Sequence, residues 1–402
     1  MSDLQGRRLI HVTTTDMSLA LLLGPQLQAF AAEGMEVIGA SAPGPFVDRL
    51  TDSGITHVPL RHATRSVSPG HDLMALPELE RLFRRLRPDI VHTHNPKPGI
   101  YGRIAARAAG VPGVVNTVHG LYAAPEDPRH LKAVVYAMER LASTCSQAEL
   151  FQNPEDLEVM KRMGVPTSKL ELLGNGVDLT RLRPSASSSE VDRVRASLGV
   201  ESTSIIVGTV GRLVWQKGFR ELFAAARRIR SIQPDVVFVI VGPEDQAKGD
   251  ALDAADIAEA TAIGNVRFTG HRDDVEALYH CFDLFVLPSY REGFPRSAME
   301  AAACGLPIVA TDIRGCRQVV DHGVTGLLVP VHNADALALA IAELAGDAPK
   351  RRAMGMRSRQ KAEAEFNDRD VIDKTLAAYR RMPAPSAAWA AARMPLPSGE
   401  SR

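Results

Sequence analysis

Short apolar runs alternate with helical patterns along most of this sequence, and this alternation constrains the fold more than any other feature. Runs of roughly 4–8 residues predict strands, and the stretches of roughly 10–15 residues between them predict helices. Strands are predicted at residues 9–13, 36–41, 89–92, 114–117 and 150–152, and again at 204–210, 236–241, 266–269, 284–287 and 308–311. Such strand–helix repetition is typical of a parallel, doubly wound α/β sheet.

One polar segment interrupts the alternation. Between residues 182 and 204 the chain is rich in proline and serine, which is the composition of a linker. At 402 residues the chain is also too long for one ordinary core. We therefore predict an amino-terminal domain at 1–182, a linker at 183–203, a carboxyl-terminal domain at 204–366, a last helix at 367–381 that crosses back, and a disordered tail at 382–402.

Charge and cysteine content argue against several classes of protein. The 47 basic and 47 acidic residues balance, whereas a nucleic-acid-binding protein normally has an excess of positive charge. The four cysteines are too scattered for a zinc or redox pair, which predicts reduced thiols in a cytoplasmic protein. The apolar runs are far shorter than the ~20 residues of a membrane span. Residues 79–87, LERLFRRLR, could rest on anionic lipid, although a solvated helix face explains the same pattern.

The sharpest local feature is a pair of glutamates around the start of a predicted helix. Glu292 and Glu300 enclose the segment GFPRSAM, which follows a predicted strand. Pro295 suits the first helical position, and the N–H groups of Arg296 and Ser297 then lie at a helix start, where a diphosphate binds favourably. Glu292 could accept hydrogen bonds from sugar hydroxyls, and Glu300 from two hydroxyls of a ribose. The alternative is that both acids simply complement the helix dipole.

A second feature places two cations at the end of another strand of the same domain. The predicted strand at 204–210 runs into GRLVWQKG, in which Arg212 and Lys217 lie between Gly211 and Gly218. These cations could neutralise the charge that develops on a leaving diphosphate. The alternative is a pair of surface cations on a connecting loop.

These motifs resemble those of family 4 glycosyltransferases of the GT-B fold, and the resemblance runs from about residue 9 to residue 381. The segments HVTTTDMSL, VHTHNPKPGIYGRIAA, NTVHGLY and FQNPEDL are most similar to the capsular-polysaccharide group, and LPSYREGFPRSAMEA and ATDIRGCRQVV agree with it. The segment that begins at Asn175, NGVD, is similar to the family's hinge. The resemblance implies two doubly wound Rossmann-like domains that face an interdomain cleft.

The resemblance also implies a role for each matching residue. Glu292 would hold the donor sugar, Glu300 the ribose, and Arg212 and Lys217 the diphosphate, while His119 would approach the transferred sugar from the other domain. We predict further substrate-binding residues at Gly211, Gly293, Phe294, Arg296, Ser297, Asp16, Asn95, Lys97 and Asn175.

The histidines of the amino-terminal half allow more than one interpretation. His119 follows a predicted strand and so lies at the ligand edge of its sheet, although a lone histidine is more often structural. His92 and His94 form an H-x-H pattern that could suggest a metal, but no third ligand is evident, and we predict no metal site. The patterns G-x-G-x-x-G, G-x-x-x-x-G-K-[ST] and G-x-S-x-G are absent, which argues against dehydrogenases, P-loop hydrolases and serine hydrolases.

The function predicted from these observations is a retaining, metal-independent glycosyltransferase without a cofactor. It is expected to move a hexose or N-acetylhexosamine from a nucleotide-sugar, with UDP as the first expectation, to a glycan, lipid-linked or small-molecule acceptor in polysaccharide or glycoconjugate biosynthesis. We expect no nucleic-acid partner, a cytoplasmic location, and weak peripheral association with the inner face of the membrane. The alternatives are a nucleotide-sugar epimerase of the same fold and a non-catalytic partner of a glycan-assembly enzyme.

Overall fold

The protein divides into two compact units. The structure is a computed structural model that describes residues 3–64, 69–94, 97–123, 127–184, 188–245 and 249–394, so the candidate Asn95 lies outside the described residues. The first unit comprises Met1–Gly174 and Val371–Arg402, and the second comprises Asn175–Asp370. The first unit therefore ends before residue 182, and the predicted linker belongs to the second unit.

The first unit is built on a seven-stranded parallel sheet. Its strands are β1 (Arg8–Thr15), β2 (Glu36–Ala42), β3 (Thr56–Pro59), β4 (Ile90–His94), β5 (Gly113–Val118), β6 (Ala148–Phe151) and β7 (Leu170–Leu172). Their order in the sheet is β3-β2-β1-β4-β5-β6-β7. The helices are α1 (Gly24–Ala32), α2 (Val47–Asp52), α3 (Pro69–Leu86), α4 (Lys97–Ala109), α5 (Arg129–Ser143) and α6 (Pro154–Arg162).

The second unit repeats this plan with a six-stranded parallel sheet. Its strands are β8 (Ile205–Val210), β9 (Val236–Val241), β10 (Val266–Gly270), β11 (Leu284–Leu287), β12 (Ile308–Thr311) and β13 (Gly326–Val329), in the order β10-β9-β8-β11-β12-β13. Its helices are α7 (Ser188–Ser197), α8 (Phe219–Ile232), α9 (Ala254–Ala262), α10 (Val275–Cys281), α11 (Arg296–Ala303), α12 (Cys316–Val319), α13 (Ala334–Gly346) and α14 (Ala348–Glu365). The next helix, α15 (Asp368–Arg380), begins in the second unit and enters the first at Val371.

Both faces of each sheet are covered by helices. In β1, Leu9 packs with Phe30 of α1 on one face, whereas Ile10 and Val12 pack with side chains of α3 on the other. Successive side chains of a strand point to opposite faces, so a strand buried on both faces must be apolar almost throughout. This is why the apolar runs of the sequence predict the central strands well. The predicted α/β fold class is confirmed.

Two short strands of the first sheet were not predicted. β3 and β7 have only four and three residues, THVP and LEL, and both lie at the edges of the sheet. Edge strands bury less surface than central ones, so their sequences carry a weaker apolar signal. The predicted linker also contains α7, whose Val191 and Val194 pack against the core of the second unit.

The carboxyl-terminal residues differ from the predicted disordered tail. Residues 387–391 form a short helix, α16 (Ala387–Ala391), within the described part of the tail. Trp389 packs against the core of the first unit, and its Nε1 donates to the Pro88 carbonyl oxygen at 3.1 Å. Arg393 pairs with the buried carboxylate of Asp89. One aromatic ring and one ion pair therefore anchor the described part of the tail, residues 382–394, on the first unit.

The amphipathic helix that was considered for lipid contact is part of the core. Leu79, Leu82, Phe83 and Leu86 of α3 are all buried, so the apolar face of this helix is covered by the first unit. The solvated-face interpretation of its arginines is therefore the better one. Among the described residues, every helix is too short or too polar to cross a bilayer.

The cysteines form no disulfide in the part of the chain that the structure describes. Cys281, Cys304 and Cys316 are buried, and Cys145 is half-buried. Burial raises the pKa of the Cys281 thiol to about 11 and that of Cys304 to about 12. These thiols are therefore protonated and poorly nucleophilic at neutral pH.

Candidate active site

The carboxyl ends of β8 and β11 meet at the topological switch point of the second sheet. β8 is the first strand of this sheet in the chain, and it lies between β9 and β11. Ligands of doubly wound sheets bind where the strand order diverges in this way. The loop after β8 carries Arg212 and Lys217, and the loop after β11 carries Glu292. The topology thus brings both predicted motifs to one edge of the sheet.

An ion pair between Lys217 and Glu292 joins these two loops. The Lys217 Nζ donates to Glu292 Oε1 at 2.6 Å, and 23% and 13% of the two side chains are exposed. The approach depends on Gly218, which adopts a φ of 79°. A Cβ at this position would lie 2.0 Å from the Pro288 carbonyl oxygen, so only glycine fits. The sequence indicated both residues but not their contact, since 75 positions separate them.

Arg212 is paired with a carboxylate that the sequence analysis did not single out. Its Nη1 donates to Asp245 Oδ2 at 2.6 Å, and 36% of the Arg212 side chain is exposed. Asp245 follows β9, the other neighbour of β8, and the two loops are in backbone contact. A Cβ at Gly242 would lie 1.9 Å from the Gly211 carbonyl oxygen. The position of Asp245 shortly after a predicted strand was the signal that could have found it.

Glu300 is oriented by two donors, Arg296 one turn earlier on α11 and Tyr279 on α10. Arg296 Nε donates to its Oε1 at 3.0 Å, and the Tyr279 hydroxyl donates to its Oε2 at 2.9 Å. The same hydroxyl lies 3.1 Å from the Ser297 carbonyl oxygen. Burial, together with the Glu300 carboxylate, raises the pKa of Tyr279 well above its usual value, so that the hydroxyl remains a donor. Tyr279 had no sequence signal because it lies inside a preceding helix rather than at a strand end.

The loop between Glu292 and α11 is fixed by backbone contacts. A Cβ at Gly315 would lie 2.5 Å from the Glu292 carbonyl oxygen and 2.8 Å from that of Gly293. Pro295 occupies the N-cap with an extended backbone, and the helix begins at Arg296. This corrects the predicted first helical position by one residue, because the N-cap itself takes the extended conformation.

The segment that begins at Asn175 is packed against the end of the second unit. Asn175 Nδ2 lies 3.4 Å from the Phe294 carbonyl oxygen, which connects it to the Glu292 loop. A Cβ at Gly176 would lie 2.5 Å from the Asp368 Cα. The Asp368 N–H donates to the Val177 carbonyl oxygen at 3.3 Å. Gly176 is therefore required by close backbone packing, and a hinge role for it stays a prediction.

A chain of hydrogen bonds joins four histidines and a tyrosine in the first unit. His119 Nε2 lies 2.9 Å from His94 Nδ1, and His94 Nε2 lies 2.9 Å from His11 Nδ1. The Tyr379 hydroxyl lies 3.1 Å from His11 Nε2 and 2.5 Å from His92 Nδ1. β1 and β4 are neighbours, with His11 opposite His92, so the topology assembles the cluster. His119 is thus part of a network that also includes the Gln152 side chain, and not a lone histidine.

Burial keeps these histidines neutral. It lowers the pKa of His11 to about 3 and that of His119 to about 4. It also lowers the pKa of His92 and of His94 well below the usual value, and neighbouring histidines add to the effect. A neutral imidazole has one donor and one acceptor nitrogen, so each ring can accept from one neighbour and donate to the next.

The cluster contains the third histidine that the sequence analysis did not find. His11, His92 and His94 offer ring nitrogens within 4.8 Å of one another. Each of these nitrogens has a hydrogen-bond partner among the described residues, namely another histidine, Tyr379 or Thr117. A metal ion would have to displace those partners, and the expectation of a metal-free protein stays a prediction.

The two remaining candidates of the first unit have partners of their own. Asp16 is 5% exposed, and its Oδ2 accepts from the Phe46 N–H at 2.7 Å. Lys97 Nζ donates to Asp72 Oδ1 at 2.5 Å and to Thr64 Oγ1 at 3.2 Å. Both residues therefore connect segments of the unit, and the prediction that they bind substrate is untested by these contacts.

Comparison with known proteins identifies related sequences and folds. Residues 26–181 match the model of Glycosyltransferase Family 4, and residues 190–361 match that of Glycosyl transferases group 1. The UDP-Gal:alpha-D-GlcNAc-diphosphoundecaprenol alpha-1,3-galactosyltransferase of Escherichia coli is 33% identical over 310 residues, 76% of this chain and 78% of that enzyme. The capsular polysaccharide biosynthesis glycosyltransferase CapM of Staphylococcus aureus is 27% identical over 384 residues, 94% of this chain and 97% of CapM.

Among solved structures, Anabaena HepE in complex with UDP has the same fold. It superposes with a TM-score of 0.77 at 21% identity and covers 93% of this chain and 99% of HepE. Two parallel-sheet, Rossmann-like domains in one chain are the GT-B arrangement of such neighbours. The family, the fold class and the enzyme class that the sequence predicts are confirmed. Since both halves match and the Escherichia coli relative covers most of the sequence, this chain belongs to the glycosyltransferases of group 1 and Family 4.

Proposed function

We propose that this glycosyltransferase moves a hexose or N-acetylhexosamine from a UDP-sugar to a lipid-linked glycan in polysaccharide or glycoconjugate biosynthesis. The names of the relatives support this choice: the Escherichia coli enzyme uses UDP-Gal and a diphosphoundecaprenol-linked acceptor, and CapM acts in capsular polysaccharide biosynthesis. The HepE complex supports UDP as the nucleotide. A small-molecule acceptor is the second candidate. The relatives named above are transferases, and the epimerase alternative gains no support from them.

The observation that carries the proposal is the ion pair of Lys217 and Glu292 at the switch point. Its 2.6 Å separation puts a cation beside an acceptor of hydrogen bonds. A nucleotide-sugar requires both groups in adjacent positions. Its charged phosphate needs a cation, and the hydroxyl groups of the adjoining sugar ring need a hydrogen-bond acceptor. Lys217 would bind the diphosphate and Glu292 the sugar hydroxyls. Because both side chains are partly exposed, the pair can exchange its internal contact for contacts with a donor.

The other candidates extend this site. Arg212 would share the diphosphate with Lys217, and Glu300, held by Tyr279, would accept from the ribose hydroxyls. His119 would contact the transferred sugar from the first unit. In the retaining reaction, the bond from the anomeric carbon to the leaving phosphate oxygen breaks, and the acceptor oxygen bonds to the same face of that carbon. The acceptor's proton passes to the leaving phosphate oxygen, so neither a protein nucleophile nor a metal is needed.

The same proposal includes a location at the cytoplasmic face of a membrane. A lipid-linked acceptor stays in the bilayer, so an enzyme that uses it must work at the bilayer surface. We expect peripheral and reversible association rather than insertion of a span.

The proposal is tested first by thermal unfolding of the full chain with UDP, GDP, ADP and NAD. A ligand present at about 100 times its Kd stabilises the folded state by about 2.7 kcal/mol, which shifts Tm by a few degrees. We expect a shift with UDP that Lys217→Ala loses. Lys350→Ala is the matched control, since Lys350 also pairs with a glutamate, Glu343, but on exposed helices of the same unit. A shift with NAD alone, or a UDP shift that Lys217→Ala keeps, would contradict the donor site.

Transfer itself is then assayed with UDP-sugars and diphosphoundecaprenol-linked sugars. NMR of the product's anomeric signal tests retention, and activity in the presence of EDTA tests independence of metal. Conversion of the donor without acceptor would favour the epimerase instead.

A further inference from the structure

Helix α5 of the first unit buries a charged side chain and exposes several apolar ones. Glu139, its one carboxylate, is 2% exposed and points into the unit. There Arg103 Nη2 donates to Glu139 Oε2 at 2.5 Å, and Arg103 Nη1 donates to Glu149 Oε1 at 2.7 Å. Arg103 is itself fully buried. The helix is therefore anchored through a charge, whereas a surface helix normally turns its charges outward and buries its apolar face.

Four apolar side chains of α5 point to solvent instead. Leu131, Val134, Met138 and Leu141 are 37%, 56%, 40% and 64% exposed. Their spacing of three, four and three positions places them on one face of the helix. Single exposed apolar residues are ordinary, but an aligned row of them marks a surface that is covered by something else. We call these four side chains the α5 apolar row.

Apart from the buried Glu139, the charged side chains of α5 are basic. Arg129, His130, Lys132 and Arg140 lie on the helix, and Arg129, His130 and Arg140 are exposed. Arg140 is held in place, because its Nε donates to the Met163 carbonyl oxygen at 2.6 Å. With Glu139 buried in its ion pairs, the exposed surface of α5 carries the apolar row and basic side chains. This is the side-chain pattern of helices that lie in the interface of an anionic bilayer.

We propose that the α5 apolar row is the surface by which this protein docks on an anionic lipid bilayer. The proposal rests on the proposed function, because a bilayer-bound acceptor requires the enzyme at that surface. Leu131, Val134, Met138 and Leu141 enter the boundary between headgroups and acyl chains, while Arg129 and Arg140 contact anionic headgroups.

A second copy of the chain fits this surface less well. Two copies of α5 would both carry basic side chains, and the helix has no exposed carboxylate to pair with them. Four side chains also provide far less area than the roughly 1,200–2,000 Å² that a stable protein interface buries. An anionic bilayer can take up the apolar row and also carries negative charges that pair with the basic side chains of α5.

Vesicle flotation of the full chain tests the docking surface. We expect binding to vesicles that contain phosphatidylglycerol and weak binding to pure phosphatidylcholine. The double variant Val134→Glu/Leu141→Glu should lose vesicle binding, and Arg129→Ala should weaken it about fivefold, since one basic residue at an anionic surface is worth about 1 kcal/mol. Leu339→Glu is the matched control, because Leu339 is 71% exposed on α13 of the second unit.

The outcomes separate the alternatives. Unchanged flotation of the double variant, or equal loss in Leu339→Glu, would overturn the proposal. A dimer of the wild-type chain in analytical ultracentrifugation that the double variant abolishes would overturn it in favour of a second copy. The UDP-induced Tm shift of the double variant should equal that of the wild type. If UDP binding fails in the wild type while flotation persists, the proposed donor is wrong and the docking surface stands.

Discussion

Both units have a cluster of polar side chains at their parallel sheet, but the side chains are charged in the second unit and neutral in the first. In the second unit, Lys217 and Glu292 form an ion pair that keeps part of each side chain exposed. In the first unit, His11, His92 and His94 are at most 4% exposed and are neutral because burial lowers their pKa values. A partly exposed ion pair can exchange its partner for a ligand at little cost, whereas a buried neutral network loses its hydrogen bonds if it is opened. The first arrangement suits binding, and the second suits holding the strands and His119 in place.

Acidification should distinguish the units most strongly. The pKa of His11 and of His119 is lowered in the folded state from 6.5 to about 3 and about 4. Below about pH 6.5 the unfolded chain therefore binds protons that the folded chain does not, and stability falls as the pH drops towards 4. Each such histidine contributes up to about 1.4 kcal/mol per pH unit. Hydrogen exchange at pH 7, 6 and 5 should show β4 and β5 losing protection before β11 and β12.

The reason for this asymmetry is that none of the buried polar side chains described for the second unit is a histidine. Equal loss of protection in both sheets would mean that the histidine cluster is not the pH-sensitive element.

Removing one member of the ion pair should abolish most activity without unfolding the protein. Lys217→Ala and Glu292→Gln are each expected to lower kcat by about 10²–10³, the usual effect of losing one group that stabilises developing charge. Steady-state kinetics with the UDP-sugar measures this, with Lys350→Ala again as the control. Full activity in either variant would mean that the contact at the switch point is only structural.

Removing one hydroxyl from the histidine network should instead lower the free energy of unfolding. Tyr379→Phe leaves His92 Nδ1 and His11 Nε2 without the partner they share, at a cost of about 1–3 kcal/mol. Denaturant unfolding followed by circular dichroism measures the loss. Thr117→Val, which removes the partner of His92 Nε2 at 2.7 Å, should act in the same direction. Wild-type stability in both variants would show that water replaces these hydroxyls.

Local patterns were sufficient wherever a residue's role follows from its place in a strand–loop–helix unit. Arg212, Lys217, Glu292 and Glu300 were identified in this way, because the carboxyl end of a buried strand can be located from its apolar run. Asp245 follows the same rule and was missed only because no motif singled it out. Tyr279 could not be found, since it reaches Glu300 from the interior of a helix.

Features that depend on the packing of distant segments had no sequence signal. His11 joins His92 because β1 and β4 are neighbours in register, and Tyr379 arrives from a helix near the other end of the chain. The exposure of the α5 apolar row also could not be predicted, because amphipathic periodicity shows that a helix has two faces but not which face is buried. That choice follows from the ion pair of Glu139 with Arg103.

The sequence by itself determined the α/β class, the two-part organisation, the family and most residues of the candidate donor site. These properties are encoded in short runs, because burial on both faces of a strand and the chemistry of a strand end are local requirements. The tertiary structure alone decided which of these residues touch, which histidines are neutral, and which helix face stays exposed. Those outcomes depend on sheet order and on the burial of charges. Both arise only when segments far apart in the chain pack together and exclude water.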